Sequence, residues 1–313
     1  MIHRFFKQWE QTMRGDIEYN NIIDPEDFDR AQKAANASEG LPAEQIDTES
    51  FYITQNYDRY TNDNHRVWQM MYEKRWAMLE EQASQTFISG LEAIRLTPER
   101  VPLLFGTAPD PHDPSKTVTG INEYLAPLTG WQSRGVPGYL PAKGFFSCLA
   151  RREFPSTVVI RPESKMDYLP EPDIFHDVFG HVPLHADPVF AEFLQTYGKA
   201  ALHAGDEHTE ALARLFWFTV EFGLIQEDNR LKIYGSGIIS SHAESHHALH
   251  APEGTGEGKV ERRAFDLETV INTPFEIDHF QPIYYVLDSF EQLRDAMNEY
   301  AERVLNQSGV GTA

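Results

Sequence analysis

Between Asn62 and Arg95 the apolar positions recur with a period near 3.6, so that Val67, Trp68, Met70, Met71, Trp76 and Met78 fall into one stripe. The spacing predicts a long helix whose stripe faces a core. "GINEYLAPLTGW" reads as a short helix, and three helical segments follow at 173–180, 187–203 and 206–223. "SHAESHHALHA" and "SFEQLRDAMNEYAERVL" give two more, the last capped by Asp288 or Ser289. Strand signals are fewer: "STVVIR", "FQPIYYVLD" and a hairpin in "LIQEDNRLKIYGSGIISS". Strands and helices do not alternate regularly, which argues against a doubly wound parallel sheet. The pattern predicts a mainly α fold with small β-hairpins and a minor sheet. The first 50 residues are polar and weakly periodic, a short helix followed by a mobile linker.

Composition narrows the function classes. The chain has 313 residues, 41% hydrophobic and 12% aromatic, enough to bury a sizeable core. Its net charge of −21 excludes nucleic acid and anionic membrane as partners held by general electrostatics. The single cysteine, Cys148, permits no disulfide within the chain and points to a reducing compartment. The most apolar helical stretch, "ALARLFWFTVEFGLI", is interrupted by Arg214 and Glu221, so no membrane span is expected. The N-terminus lacks the apolar run of a secretory signal, and a cytoplasmic location is the expectation.

The candidate chemistry lies in "EPDIFHDVFGHVP". His176 and His181 are five apart, and on one α-helix such positions do not converge. Asp173 is a good N-cap and Gly180 a good terminator, which predicts a helix carrying His176 that ends before His181. One ligand then comes from the helix and the other from its exit. Phe175, Val178 and Phe179 supply an apolar shell. A third donor is suggested by Glu221, an acid in an otherwise apolar stretch, where burial is costly unless the group is paired or bound to a metal. A salt bridge to Arg214 is the competing explanation. Two imidazoles and one carboxylate make the facial triad of non-haem Fe(II) oxygenases. Catalytic zinc is the rival, but the HExxH pattern that usually accompanies it is missing.

"PEPDIFHDVFGHVPL", "FAEFLQTYG", "LFWFTVEFGL" and "YGSGIISS", in that order, resemble the signature blocks of the pterin-dependent aromatic amino acid hydroxylases. The likeness runs from about residue 52 to 303 and is strongest to the bacterial phenylalanine 4-hydroxylase branch. It implies one catalytic domain over 51–306, an N-terminal extension over 1–50 that is partly mobile, and a frayed tail over 307–313. Nothing resembles the tetramerising tail of the animal members, which implies a monomer.

Residue by residue, the resemblance implies His176, His181 and Glu221 as the Fe(II) ligands. Phe145 matches the ring on which tetrahydropterin stacks, and Gly138, Leu140 and Ala142 match the loop that bonds the pterin. Asp177 matches an acid near the pterin that is Glu in animal members, and Phe216 stands where they carry Tyr. Arg161 matches the guanidinium that takes the amino acid's carboxylate, a job suited to a bidentate pair, with Asp173 orienting it. Pro172 and Trp217 match the walls of the ring pocket, Ser240 and Glu244 a supporting layer, and Leu169 replaces a Thr. The implied activity is hydroxylation of L-phenylalanine to L-tyrosine with O2 and a tetrahydropterin co-substrate, which requires a dehydratase/reductase system to recycle the pterin. Tryptophan or tyrosine as substrate is the near alternative, and a zinc hydrolase using Asp177 as base the remote one. His242, His246, His247 and His250 form a tempting second metal site, better read as a polar helix flank.

Overall fold

The long periodic segment folds as two helices rather than one. In the computed structural model, which describes residues 22–166, 172–277 and 279–308, they span Asn62–Gln82 and Gln85–Ala93. The first opens on a capping box between Thr61 and Asn64. It stops because Ser84 N–H donates to Ile233 O at 2.8 Å, a contact with a strand that the helical period could not reveal. Ser84 then caps the second helix through Phe87 N–H. Val67, Trp68 and Met71 are buried as expected, whereas Met70 is 37% exposed, so the stripe is narrower than its spacing suggests.

The strands form three small sheets. β1 (Thr107–Pro109) and β2 (Thr117–Thr119) are antiparallel. β3 (Gln132–Val136) and β4 (Glu153–Thr157) are parallel and are joined by the helix Ala142–Ala150. β5 (Leu224–Glu227), β6 (Arg230–Ile233), β7 (Glu261–Ala264) and β8 (Ile283–Leu287) make a mixed sheet in the order β6-β5-β8-β7. The expected hairpin is β5–β6. Asp228 and Asn229 turn it with φ of +48° and +59°, the left-handed pair that suits a two-residue hairpin loop. β4 begins and ends earlier than "STVVIR" suggests, because Val158 to Ile160 are buried by packing and not by sheet pairing.

Residues 22–50 carry a short helix, as expected, and pack on the domain. A helix over Pro25–Ala37, capped by Asp24, lays Ala31 and Ala35 against the domain, and Ile22 and Ile23 join the main core. Small alanines let this helix approach closely, and Asp27 Oδ2 accepts from Thr54 N–H at 2.8 Å. Its inner face touches a second cluster of Phe51, Tyr52, Val136, Leu140 and Cys148. The segment 1–21 and residues 309–313 of the expected tail lie outside the described residues, and the last helix, Phe290–Ser308, runs through 307 and 308. Ser289 caps that helix through Gln292 N–H. No described helix is long and apolar enough to cross a membrane.

Candidate metal centre and substrate pocket

Gly180 does not end a helix. Phe175–His181 is one continuous π-turn, and His181 is its last residue instead of lying past its exit. A π-turn closes hydrogen bonds from i to i+5, so residues five apart stack along one face. That is the spacing of His176 and His181, whose Nε2 atoms stand 3.3 Å apart with the rings at 86°. Gly180 serves a different need. A Cβ there would come within 3.3 Å of both Ser236 Cβ and Ser236 O, so its bareness lets the segment carrying Ser236 approach.

A second π-turn, Trp217–Glu221, extends the helix Asp206–Phe216 and delivers Glu221. Its Oε1 lies 3.4 Å from His181 Nε2 and its Oε2 3.8 Å from His176 Nε2. One donor atom from each residue falls within 4.8 Å of the others, the one such cluster of three or more metal-type ligands among the described residues. The competing ion pair does not form: Arg214 donates to Glu210 at 2.9 Å and to Ile271 O at 3.0 Å.

Two serines one helical turn apart orient this trio. Ser236 Oγ donates to Glu221 Oε2 at 2.8 Å. Ser240 Oγ donates to Ser236 O at 2.8 Å and so faces His176 Nδ1, 2.9 Å away, as an acceptor. That assigns the imidazole proton to Nδ1 and turns the Nε2 lone pair toward the cluster. Burial holds His176 neutral, down to about 4. Burial alone would raise Glu221, but His181, His176 and Ser236 outweigh it and bring the carboxyl down to about 2. A carboxylate and an imidazole lone pair thus converge on one small space, an arrangement that a cation between them stabilises. Two nitrogens and one oxygen fit Fe(II) with about three positions left open.

Beside the trio, Arg161 and Asp173 form a buried bidentate pair. Nε donates to Oδ2 and Nη2 to Oδ1, both at 2.8 Å. Asp173 also accepts from His176 N–H at 3.1 Å, so its capping and orienting roles combine. The Nε/Nη2 edge of Arg161 is therefore taken by Asp173, and the donors left are those of Nη1 and the second hydrogen of Nη2. Nη1 makes a longer contact, 3.4 Å, to Met166 O. The neighbouring Leu169 lies outside the described residues.

Aromatic rings line the other sides. Phe145 meets Phe216 edge-on at 5.9 Å and Phe154 at 6.2 Å, and Phe154 lies 4.8 Å from the His181 ring. Gly138, Leu140 and Ala142 sit on the connection from β3 into the helix that carries Phe145. Asp177 Oδ2 accepts from Thr157 N–H and Oγ1–H at 2.7 and 2.8 Å, tying the π-turn to the end of β4, and burial raises its carboxyl to about 7. Trp217 stacks on Phe275 at 4.6 Å and donates Nε1–H to Gln281 at 2.8 Å. Glu244 stands behind that contact, accepting from Gln281 N–H at 3.2 Å and Tyr284 Oη–H at 2.6 Å. Pro172 is half-buried just ahead of Asp173.

Residues 55–310 match the model of the biopterin-dependent aromatic amino acid hydroxylases. The chain belongs to that family. It is 41% identical over 266 residues to a phenylalanine-4-hydroxylase of Caulobacter vibrioides, covering 83% of this chain and 84% of the relative. It is 41% identical over 251 residues to that of Chromobacterium violaceum, covering 80% and 78%. A crystal structure of the Chromobacterium violaceum phenylalanine hydroxylase, with iron(III) and 7,8-dihydrobiopterin bound, superposes with a TM-score of 0.70 at 38% identity, covering 90% and 96%. The mainly helical, single-domain fold of the hydroxylase family is thus the fold of this chain.

This hydroxylase places several residues at the site that sequence reasoning did not single out. Ser236 was legible in principle: it lies four before Ser240 in "YGSGIISS", one turn of helix away. Gln281 and Phe154 carried no signal, since each reaches the site only through tertiary packing. The histidine flank of the helix His242–His250 assembles no such three-ligand cluster among the described residues. His247 instead stacks on Phe280 at 5.0 Å.

Proposed function

We propose that this protein is a phenylalanine 4-monooxygenase, an Fe(II)- and tetrahydropterin-dependent enzyme converting L-phenylalanine to L-tyrosine with O2. The observation that carries the reading is the convergence of His176, His181 and Glu221 beside the Arg161–Asp173 pair in a hydroxylase fold. His176 Nε2, His181 Nε2 and the Glu221 carboxylate would hold the iron. Iron and tetrahydropterin, when bound, supply the activation of O2.

The chain's own residues bind, orient and exclude water. Arg161 takes the amino acid's carboxylate through Nη1, while Asp173 fixes the guanidinium plane. Trp217 and Pro172 confine the aromatic ring, and the Gln281 bond keeps the indole from rotating. Phe145 offers the pterin a stacking face, Gly138, Leu140 and Ala142 its polar edge, with Phe216 at its side. Asp177 completes that side, anchored by Thr157. Ser240 orients His176, and Glu244 supports the Gln281–Trp217 contact. No residue has to act as a strong base, which suits a site whose walls are rings. Hydrolysis by zinc is disfavoured by the hydroxylase family match and by the lack of the HExxH pattern.

The catalytic unit is read as 51–306 with residues 22–50 docked on it. The enzyme is read as a cytoplasmic monomer served by a separate dehydratase/reductase system; its one cysteine, free and buried, suits a reducing setting. The test is product analysis. Protein loaded anaerobically with Fe(II) is given O2, tetrahydropterin and each aromatic amino acid in turn. Tyrosine from phenylalanine, dependent on pterin, is expected, with tryptophan turned over less well. No tyrosine from a sample shown to hold iron would overturn the reading.

A further inference from the structure

The helix Asn62–Gln82 buries an arginine outside the cluster of metal-type ligands. Arg75 is 3% exposed. No carboxylate of the described residues pairs with it, and burial alone lowers its guanidinium to about 10. A buried cation without a counter-ion is costly, so its hydrogen bonds have to compensate. Apart from a long Nη1 contact to Met78 Sδ at 3.8 Å, they go to one place. Nε donates to Ile239 O at 2.6 Å, and Nη2 donates to Ser245 Oγ at 2.6 Å and to Ile238 O at 3.4 Å.

Ile238 and Ile239 lie between Ser236 and Ser240, as the last two residues of the single turn Ser236–Ile239. Those serines are the partners of Glu221 and His176. A four-residue turn has few hydrogen bonds of its own and does not hold a fixed position unaided. Arg75 grips its carbonyls from a 21-residue helix on the far side, and Ser245 Oγ, also bound to Ile238 O at 2.7 Å, braces the same carbonyl. Three donors in one rigid plane suit this task, and a lysine would offer a single point charge instead.

We propose that Arg75 is a positioning residue for the metal centre. It sets where Ser236 and Ser240 stand, and through them the plane of the Glu221 carboxylate and the tautomer and tilt of His176. This rests on the reading of His176, His181 and Glu221 as metal ligands. Loss of an orienting partner of a metal ligand typically weakens metal binding about 10–100-fold.

The experiment measures Fe(II) affinity of the full chain by anaerobic equilibrium dialysis, with the absorption spectrum of the Co(II)-substituted protein as a geometric readout. Arg75→Met is compared with Arg75→Gln, which keeps part of the donor set, with Ser240→Ala, and with the pair Arg75→Met/Ser240→Ala. Leu79→Ala, one turn along the same helix, controls for loss of stability alone. Arg75→Met is expected to bind Fe(II) about 10–100-fold more weakly and to alter the Co(II) spectrum, with Arg75→Gln intermediate. Its effect should combine less than additively with that of Ser240→Ala, because both act through one turn. Leu79→Ala should leave affinity and spectrum unchanged. Unchanged affinity and spectrum in Arg75→Met would overturn the proposal, as would full additivity. Should Arg75→Met not fold, Arg75→Gln carries the same comparison. His176→Ala separates the two readings: if it binds iron as the natural chain does, the metal site itself is wrong; if it loses iron while both Arg75 variants keep it, only the role of Arg75 fails.

Discussion

His176 and His181 present Nε2 atoms 3.3 Å apart although five residues separate them, and the π-turn over Phe175–His181 is what makes that spacing convergent. Glu221 arrives on a second π-turn. Replacing any of the three by Ala should weaken Fe(II) binding by more than the about 10–100-fold that an orienting partner contributes. Arg214→Ala, which breaks only contacts to Glu210 and Ile271, should leave binding unchanged. Metal content after anaerobic dialysis decides it, and a loss of iron in Arg214→Ala would contradict the assigned donor set.

Asp173→Ala should damage folding and substrate binding together. It strands a buried guanidinium whose Nε and Nη2 both bond Asp173 at 2.8 Å. Breaking a buried pair in this way costs about 3–5 kcal/mol. Urea titration should show that loss, and the KM for phenylalanine should rise as Arg161 loses its fixed plane. A KM equal to that of the natural chain would argue against Arg161 as the carboxylate receptor.

Much of this was legible in the residues, and the failures share a cause. The helical stripe and the β5–β6 hairpin follow from period and residue type, which also suggest His176, His181 and Glu221 as donors beside rival readings, and the structure brings those three together. The route by which the histidines meet does not follow from either. Gly180 looks like a helix terminator, yet its missing Cβ admits Ser236, a residue 56 positions away. The break at Ala83–Ser84 likewise comes from a hydrogen bond to Ile233. The docking of residues 22–50 depends on the second cluster around Phe51 and Tyr52, which no local pattern announces. Sequence period reports what a segment prefers, whereas these features are imposed by distant partners.

The N-terminal arm should loosen in acid. Burial raises the Asp27 carboxyl, but Arg30 and the Thr54 N–H outweigh that and leave it below its ordinary value. A carboxyl lowered in the folded state contributes stability that is complete above its unfolded value of about 4 and fades as pH falls through the folded one. The difference in unfolding free energy between the natural chain and Asp27→Asn should thus be constant near neutrality and shrink below about pH 4. A difference that grows on acidification would show that Asp27 does not act as the charged anchor of the arm.

Gln281→Leu should relax the ring pocket without touching the metal ligands. It removes the acceptor of Trp217 Nε1–H and the Nε2 donor to Glu276 O and His279 O, while the backbone N–H that donates to Glu244 remains. A buried N–H left without a partner costs about 1–3 kcal/mol, and the indole escapes that cost by turning. Preference for phenylalanine over tryptophan, read as the ratio of kcat/KM values, should fall while Fe(II) content stays at that of the natural chain. Unaltered selectivity would remove Trp217 from the set of specificity residues.

His185 is a site where a substitution should strengthen the fold. It is fully buried, and neither ring nitrogen has a hydrogen-bond partner among the described residues. Burial drives its pKa far below the ordinary value, so the ring is neutral and gains nothing from charge. What holds it is stacking: the ring lies 4.7 Å from Trp131 at 26° and 4.9 Å from Phe154. Phenylalanine preserves those contacts and buries no unpaired nitrogen. His185→Phe should gain about 1–3 kcal/mol in urea unfolding, the usual cost of an unsatisfied buried polar group. Because Phe154 also touches His181, iron affinity serves as the companion measurement. Greater stability with unchanged affinity marks His185 as a passive ring of the core, whereas a destabilised variant would mean that its nitrogens are satisfied in solution by a buried water.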